Sequence, residues 1–400
     1  MANVSSSNGL DKRPKLRFPG FDEPYRTTHL GEIATLVNRT DPKSNAPIMM
    51  LSAGNGFIMQ SVKYSRDNAG QSLKKYILLK QGELAYNHGA SKAKQFGCCY
   101  ELTEPEARIP YVYHCFKVSD TEYTPFVAAT LNNPKMDKQL KRLVSSSVRM
   151  DGLLNISFDD YMSVSLHLPS FAEQKKIADF LKKLDERITA QEMLVASLKK
   201  YKRGVVSAIL SHRIVFSDAD GKPYPEWTSC TLQDAVVFLD GQRKPLESAD
   251  RARRQGKYPY YGASGIIDYI DDYIFDEPLL LLGEDGANII NRSTPLCFIA
   301  TGKYWVNNHA HVMRPQNGHN IKFLCELLES LDYTRYNTGT AQPKLNQEKC
   351  RGIELNLPIY EEQCRIADFL SSLDQKAERE QANLDCLLLF KRGLMQQLFI

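Results

Sequence analysis

A heptad pattern of apolar residues occurs twice along this chain and predicts two long helices. In the first copy, steps of three, four or seven residues separate Ile177, Leu181, Leu184, Ile188, Val195, Leu198, Val205 and Ile209. In the second copy, the matching positions are Ile366, Leu370, Leu373, Ala377, Leu384, Leu387, Leu394 and Leu398. This spacing is typical of a coiled-coil seam, in which one stripe of a helix faces a partner helix. We predict helices over about 173–210 and 362–399.

The two patterned segments are copies of one sequence. Ile177-Ala178-Asp179-Phe180-Leu181 recurs as Ile366-Ala367-Asp368-Phe369-Leu370, and 15 of the 37 positions from 168 to 204 recur at an offset of 189 without a gap. Two matching seams in one chain favour an antiparallel pair that packs within the molecule, as a stiff rod with one globular domain at each end. The alternative is two unrelated amphipathic helices on separate cores.

A globular segment precedes each helix, and the two segments share their ends but not their interiors. Leu30-Gly31-Glu32-Ile33 resembles Leu232-Gln233-Asp234-Ala235 near the entry, and Asn155-Ile156-Ser157 aligns with Lys344-Leu345-Asn346 near the exit. Strand-like runs at 76–79, 279–282 and 297–300 and helical patches at 126–131 and 323–331 indicate mixed α/β domains.

The predicted fold class is therefore α+β. It comprises two mixed domains separated by a long antiparallel two-helix coiled coil, with pseudo-two-fold repetition. The predicted segments are a mobile tail (1–16), a first domain (17–167), a first helical segment (168–212), a second domain (213–356) and a second helical segment (357–400).

The composition indicates a soluble protein of the cytoplasm. Hydrophobic residues make up 42% and charged residues 24% of 400 positions, and the formal net charge is +4. No run of eighteen apolar residues predicts a membrane span, and the N-terminus lacks the apolar core of a signal peptide. Nine cysteines, an odd number without a Cys-x-x-Cys pair, favour reduced thiols over disulfides or structural zinc.

The middle of each domain carries polar, aromatic and basic loops that are candidates for nucleic-acid contact, because Lys and Arg hold phosphates while Asn, Gln, Ser and His read base edges. In the first domain the candidates are Lys63, Tyr64, Arg66, Asn87, His88, Ser91, Lys92 and Lys94. In the second they are Arg243, Lys244, Tyr260, Tyr261, Ser264, Asn288, Arg292, Asn307, Asn308, His309, His311, Gln342 and Lys344. A further basic run comprises Lys135, Lys138, Lys141 and Arg142. The alternative for all basic runs is an ordinary solvated face.

Four aromatic residues lie off the helical seams at matching positions: Phe180, Tyr201, Phe369 and Phe390. Exposed aromatic side chains in equivalent places suggest two equivalent docking sites for a partner protein. The alternative is that they cap the neighbouring domains.

Motifs for catalysis are missing from the sequence. Gly221-Lys222 and Gly302-Lys303 are followed by Pro and Tyr rather than by the Ser or Thr of a phosphate-binding loop. Asn133-Pro134-Lys135 falls short of the Asn-Pro-Pro-aromatic motif of amino-methyltransferases. His309 and His311 have no further ligand at metal-binding spacing. We expect no catalytic site and no metal.

The duplicated Leu-Pro-x-x-x-Glu-Gln-x-x-Ile-Ala-Asp-Phe-Leu segments resemble those of the specificity (S) subunits of type I restriction–modification systems, a DNA-binding family. So do Tyr-Tyr-Gly-Ala-Ser-Gly (260–265), Gly-Glu-Asp-Gly-Ala-Asn (283–288), Trp-Val-Asn-Asn-His-Ala-His (305–311) and Gln-Pro-Lys-Leu-Asn (342–346). The resemblance covers about residues 17–400.

The resemblance implies two target recognition domains, each reading one half of a split DNA target, and helices that dock two methyltransferase subunits. A motor and nuclease (restriction) subunit would join them. S-adenosylmethionine, ATP and magnesium would be bound by those partners and not by this chain. The competing hypothesis is a coiled-coil scaffold with end domains that bind protein or carbohydrate.

Overall fold

Two long helices and two mixed domains account for the described residues of the computed structural model. These residues are 13–63, 70–91, 94–144, 154, 156–339 and 342–400, with the side chains of 63, 70 and 71 left aside. The chain divides into a first unit (Met1–Gln191 with Asn383–Ile400) and a second unit (Glu192–Ala382). Within the described residues, no helix combines the length and the apolar character needed to cross a membrane.

The first unit holds ten strands, and α6 passes from it into the second unit. The strands are β1 Arg26–His29, β2 Ala34–Leu36, β3 Met49–Ser52, β4 Gly56–Met59, β5 Ile77–Lys80, β6 Leu84–Asn87, β7 Cys98–Glu101, β8 Glu106–Ile109, β9 His114–Val118 and β10 Ser165–Leu168. The helices are α1 Leu30–Ile33, α2 Gln60–Lys63, α3 Thr124–Leu131, α4 Asp137–Leu143, α5 Phe158–Met162 and α6 Phe171–Leu210.

The second unit holds nine strands, and α12 ends in the first unit. The strands are β11 Thr228–Thr231, β12 Val236–Phe238, β13 Gln255–Gly262, β14 Gly265–Ile270, β15 Leu279–Gly283, β16 Cys297–Ala300, β17 Trp305–Val306, β18 Ala310–Pro315 and β19 Glu354–Leu357. The helices are α7 Leu232–Ala235, α8 Ser248–Arg253, α9 Asn288–Asn291, α10 Ile321–Ser330, α11 Gln347–Arg351 and α12 Tyr360–Leu398. Short 3₁₀ turns occupy Gly70–Lys75, Asp240–Gln242 and Thr334–Tyr336.

Both units contain the same four-stranded antiparallel sheet, although their sequences differ there. The strand order is β2-β9-β6-β7 in the first unit and β12-β18-β15-β16 in the second. The central strand β15 is a run of four leucines followed by glycine, and all five residues are buried. Because a strand covered on both faces needs apolar side chains at every position, this run forms the middle of the sheet. The duplication thus extends into the domain interiors.

Other elements are specific to one unit. The first unit adds the hairpin β3-β4, the pair β5-β8 and helix α4, whereas the second adds the sheet β14-β13-β17 and helices α8 and α9. At both domain ends, the short pairs β1-β10 and β11-β19 join entry to exit. The shared frame therefore carries different insertions.

The two long helices pack antiparallel, and twelve of the sixteen predicted seam residues are buried, while Leu198, Leu373, Ala377 and Leu387 are half-buried. In the second unit, Lys202 Nζ lies 2.7 Å from Asp374 Oδ1, and Lys199 Nζ lies 3.2 Å from Gln381 Oε1. In the first unit, Lys391 pairs with Asp185 at the equivalent positions. The structure confirms the predicted fold class of mixed α/β domains with a long antiparallel helix pair. The predicted domain boundaries stay predictions.

A buried glutamine fastens each long helix to its domain. Gln174 Oε1 accepts the backbone N–H of Tyr123, the residue before α3, at 2.9 Å, and its Nε2 donates to the Pro169 carbonyl at 3.0 Å. Gln363 Oε1 accepts the N–H of Asn320, the residue before α10, at 2.9 Å, and its Nε2 donates to the Pro358 carbonyl at 2.8 Å. Each amide satisfies a free donor at a helix start and fixes the angle between two helices.

The glutamate before each glutamine is also buried, but only the first has an arginine. Arg17 Nε and Nη2 donate to the two carboxylate oxygens of Glu173 at 2.8 and 2.7 Å. Glu362 has one buried oxygen without a hydrogen-bond partner, and burial raises the pKa of its carboxyl group. Val215 occupies the place of Arg17, as the neighbouring contacts of Phe216 with Phe369 and of Phe18 with Phe180 show. The second copy is therefore the weaker one electrostatically.

We predict that Gln174→Ala lowers the free energy of unfolding by about 1–3 kcal/mol, because it leaves the buried N–H of Tyr123 without an acceptor. Alanine favours a helix more than glutamine does, so helix propensity alone would act in the opposite direction. Urea unfolding measures the effect, and Gln396→Ala on an exposed turn of α12 is the matched control. Equal stability of both variants would contradict the fastening role.

Candidate nucleic-acid interface

Five loop segments of the second domain converge at one end of its sheet. The N–H of Asn307 donates to the Tyr261 carbonyl at 3.1 Å, and the N–H of Glu284 donates to the His309 carbonyl at 2.9 Å. Leu345 N–H in turn donates to the Glu284 carbonyl at 2.7 Å. Backbone bonds therefore join the segments 243–244, 261–264, 283–288, 305–311 and 342–347, all of which the sequence marked as candidates.

Six of the predicted contact residues in these segments are exposed, and we call them the polar loop surface: Lys244, Ser264, Asn308, His309, Gln342 and Lys344. His309 Nδ1 lies 2.7 Å from Asp285 Oδ2, and Asp285 also forms a backbone bridge with Lys344. The surface thus presents amide, hydroxyl, imidazole and ammonium groups from a backbone that its own hydrogen bonds hold in place.

The remaining candidates in this domain are occupied by internal contacts. Tyr260 is buried and its hydroxyl accepts the N–H of Leu246, Asn307 is buried and accepts the N–H of His309, and Tyr261 is half-buried against Phe298. The side chain of Asn288 accepts the N–H of Thr294. These residues shape the loops, and their side chains lie beneath the polar loop surface or beside it.

The two arginines that were predicted to contact nucleic acid in this domain, Arg243 and Arg292, are paired with carboxylates. Arg243 Nη1 donates to Glu284 Oε2 at 2.8 Å and to the Ala310 carbonyl at 2.8 Å, and only 14% of its side chain is exposed. Arg292, in the left-handed region at φ 50°, lies 2.8 Å from Glu329. In this structure neither guanidinium is free for a phosphate.

A buried ion pair lies directly under the polar loop surface. His311 is fully buried; its Nδ1 lies 2.7 Å from Asp240 Oδ2 and its Nε2 lies 2.8 Å from the Leu345 carbonyl. A carbonyl only accepts, so Nε2 carries a proton. Burial alone would lower the pKa of His311, but the hydrogen bond to Asp240 and the Cys350 thiol outweigh it and raise the pKa to about 10. The imidazolium therefore ties strand β18 to the exit segment.

The first domain has the same histidine in a different protonation state. His114 opposes Tyr86 in β6 as His311 opposes Leu282 in β15, and its Nε2 lies 2.9 Å from the Ile156 carbonyl. Burial lowers the pKa of His114, the bond to Ile156 opposes this, and the neighbouring His88 lowers it further. His114 is thus a neutral counterpart of His311.

The carboxylate accounts for this difference. The hydrogen bond from Val37 to Cys115 matches that from Leu239 to Val312, so Asn38 stands where the second domain has Asp240. Sequence reasoning missed both His114 and Asp240. The carbonyl groups that the two histidines contact belong to Ile156 and Leu345, which the sequence offset of 189 had already matched. No sequence pattern matched the two histidines themselves.

Candidates in the first domain are divided between interior and surface. His88 is buried, with its ring nitrogens 2.9 and 3.0 Å from the carbonyls of Leu154 and Val112. Asn87 accepts the N–H of Gly89, and Lys94 donates to the Asn132 carbonyl at 2.7 Å. Ser91 is exposed. Tyr64, Arg66, Lys92 and the side chain of Lys63 lie outside the described residues.

The off-seam aromatics separate into two pairs. Phe180 and Phe369 each pack edge-on against a phenylalanine outside the helix, with ring centroids 5.6 Å from Phe18 and 5.8 Å from Phe216. Tyr201 and Phe390 are 58% and 52% exposed. A groove of about 480 Å³ follows the helix surface beside Tyr201 and is lined by Ser197, Lys200, Tyr201, Gly204, Val205, Ala208 and Ile214.

Within the described part of the chain, no group of three or more metal-ligating His, Cys, Asp or Glu side chains comes together. His309 and His311 have separate partners, Asp285 at the surface and Asp240 in the interior. The arrangement can bind through hydrogen bonds and charge.

Residues 224–386 match a family model described as the type I restriction modification DNA specificity domain. A predicted type I restriction enzyme specificity subunit of Haemophilus influenzae is 32% identical over 149 residues, which are 37% of each chain. The EcoprrI specificity subunit of Escherichia coli is 30% identical over 145 residues, 36% of this chain and 35% of that protein. The matched segments span only about a third of these relatives.

Among solved structures, the type I S subunit from M. genitalium has a TM-score of 0.60 at 16% identity. The superposition covers 97% of this chain and 99% of that chain. A second structure comes from work on complex assembly and conformational transition of the type I R-M system. It has a TM-score of 0.54 at 14% identity, and the superposition covers 96% of this chain and 99% of that chain. These likenesses support the fold.

Residues 224–386 thus match the DNA specificity domain of type I restriction–modification systems. The named relatives and the shared fold agree with the resemblance to type I specificity subunits that the sequence motifs indicated.

We predict that the unfolding free energy of the second unit falls between pH 7 and pH 10. Because the folded pKa of His311 lies above the ordinary 6.5, its protonated form stabilises the fold fully below pH 6.5. That contribution is lost as the pH rises toward 10, at about 1.4 kcal/mol per unit of pKa difference. Trp227 and Trp305, the two tryptophans of the chain, lie in this unit, so their fluorescence follows its unfolding in urea.

Asp240→Asn should lower the stability at pH 7 and flatten this pH dependence, because the cause of the raised pKa is removed. His309→Gln, which changes an exposed imidazole on the same loop, is the matched control and should keep the wild-type profile. A wild-type profile in Asp240→Asn would show that His311 is not charged.

Proposed function

We propose that this chain is a non-catalytic DNA-reading subunit whose two domains each recognise one half of a bipartite target. The observation that carries the proposal is one duplicated sheet frame with two different sets of insertions. A shared frame presents both interfaces in the same way, while different loops give different sequence preferences. The specificity-domain match over residues 224–386 supports DNA as the ligand.

In the second domain, we assign base reading to the amide, hydroxyl and imidazole groups of the polar loop surface. Asn308, Gln342 and Ser264 can donate and accept hydrogen bonds at base edges, and His309 can do either according to its protonation. Lys244 and Lys344 supply phosphate contacts. Arg243 and His311 act as positioning residues, since both are held inside the domain.

We propose docking of two methyltransferase subunits at the equivalent exposed aromatics Tyr201 and Phe390. Beside each lies a helical glycine, Gly204 or Gly393, at which an added Cβ would meet nothing within 4 Å. A glycine inside a helix costs roughly 0.5–1 kcal/mol relative to alanine, and no intramolecular contact explains it here. Close approach of a partner helix would explain both glycines.

The cofactors follow from this division of labour. We propose that S-adenosylmethionine, ATP and magnesium are bound by the methyltransferase and the motor and nuclease subunits. This chain would contribute target choice alone, in the cell compartment that holds the DNA.

We predict that Asn308→Ala with His309→Ala changes only one half of the methylated target. Each lost or altered base contact is worth about 1–3 kcal/mol, so preference relaxes at one or two positions. Long-read sequencing that detects methylated bases, in cells expressing this chain with the methyltransferase from the same locus, measures the motif. Asp220→Ala in an exposed turn of the same unit is the control. A continuous motif without two halves would contradict the proposal.

Gly204→Gln with Gly393→Gln should abolish co-purification of the methyltransferase while raising the thermal stability of the chain. The long side chain blocks close approach, whereas helix propensity improves. Met193→Gln, at an exposed position of the same helix, is the control and should keep the partner. Stoichiometric co-purification with the double glycine variant would refute docking at these two helix surfaces.

A further inference from the structure

The two domains differ in formal charge. Residues 17–167 contain 18 basic and 15 acidic side chains, net +3, and residues 213–356 contain 16 basic and 19 acidic side chains, net −3. Charge sign decides where a polyanion is attracted, since phosphate contact dominates DNA affinity. The difference raises the question of where the phosphate contacts of this chain lie.

Carboxylates pair closely with five arginines of the second domain. Arg243 and Arg292 form the ion pairs described above. In addition, Arg251 lies 3.1 Å from Asp268, Arg254 lies 2.9 Å from Asp271, and Arg314 pairs with Glu277. A guanidinium that already holds a carboxylate gains less from a phosphate, because the first partner must be given up. The guanidinium groups of these five arginines are therefore engaged within the second domain.

Helix α4 of the first domain shows the opposite arrangement. Lys138, Lys141 and Arg142 are three and four residues apart, so they share one helix face, and all are exposed. Within the described residues none of them forms an ion pair. Like charges at this spacing destabilise a helix by about 0.2–0.5 kcal/mol each. Asp137 lies four residues before Lys141 on the same helix, but it forms no ion pair with these cations. A face with three exposed cations and no ion pair among the described residues is suited to an anionic ligand.

The orientation of α4 is fixed by its other face. Leu140 is buried in the core, and the side-chain amide of Gln139 both donates to and accepts from the backbone of Ser165, at 2.9 Å each way. Lys135, just before the helix, is engaged elsewhere, since its Nζ donates to the Phe399 carbonyl at 2.7 Å. The three outward cations are therefore held in one direction.

Residues before and after α4 are hydrogen-bonded to the loop that follows β6. Lys94 of that loop bonds the Asn132 carbonyl, which precedes α4, and the N–H of Leu154, which follows α4, donates to the His88 carbonyl at 2.9 Å. The loop after β6 is the counterpart of the segment after β15 in the polar loop surface. The chain on either side of α4 is thus bonded to the loop at which the shared frame places its candidate contact residues.

We propose that the α4 face formed by Lys138, Lys141 and Arg142 is a principal phosphate-binding site of this chain, so that the first domain anchors DNA electrostatically while the second reads it with few phosphate contacts. This inference rests on the proposed DNA-reading function. The ligand is the phosphate backbone of duplex DNA, independent of base sequence.

The test is the salt dependence of duplex binding by the full chain, with a 30-base-pair duplex of arbitrary sequence between 50 and 200 mM NaCl. Each lost phosphate contact reduces the slope of log K against log salt by about 0.9. Lys138→Gln/Lys141→Gln/Arg142→Gln should reduce it by about 2–3. Between 50 and 200 mM NaCl, the loss of DNA affinity would then be roughly 15–60-fold smaller for this variant than for the wild type.

Two control variants remove the same charge elsewhere. Lys182→Gln/Lys183→Gln/Arg187→Gln changes exposed residues of α6, and Lys222→Gln/Arg253→Gln/Lys257→Gln changes exposed residues of the second domain that lie outside the polar loop surface. We expect slopes within about 1 of the wild type for both. Circular dichroism and thermal unfolding check that the α4 variant is folded, which the removal of like charges favours.

The outcomes separate the two ideas. If the wild-type chain binds no duplex at any salt concentration, the proposed function fails and the inference fails with it. If the wild type binds with a steep slope that the folded α4 variant retains, only the inference is overturned. Equal loss in the α6 or second-domain control would likewise overturn the assignment to α4.

Discussion

The buried glutamine at the start of each long helix is the interaction on which the architecture depends. One amide accepts the first N–H of a domain helix and donates to the proline carbonyl before its own helix. The apolar contacts between a domain core and a helical seam are non-directional. The hydrogen bonds supply the missing direction, and they occur in both copies with nearly the same distances.

Positioning and binding use different charges in this protein. In the second domain, most arginines and the imidazolium of His311 are committed to internal carboxylates, so their electrostatic energy holds loops in place. The equivalent His114 does the same with a neutral ring, because Asn38 replaces Asp240. A charged histidine at this position is thus unnecessary for the sheet frame. Its presence in the second domain makes the stability of that domain depend on pH.

Sequence periodicity predicted the helices to within about two residues at each end, because a seam repeated at a fixed offset is a strong signal. The leucine run and both late helices were also predicted. The common strand order inside the domains was hidden, since sheet frames tolerate any apolar residues of suitable size. Candidate contact residues were chosen by amino-acid type alone. Amino-acid type does not distinguish Asn307, which is buried, from Asn308, which is exposed. Burial depends on the register of β17 and β18, which no local pattern shows.

The common strand order has a consequence for how such a chain changes over time. A gene segment that encodes the insertions of one domain can be replaced by a foreign segment, provided that its first and last strands complete the sheet. The recipient keeps its helices and their seam, so the frame is unaffected while the loop surface changes in a single step. A single exchange of this kind alters many loop residues at once, whereas point substitution alters them one at a time.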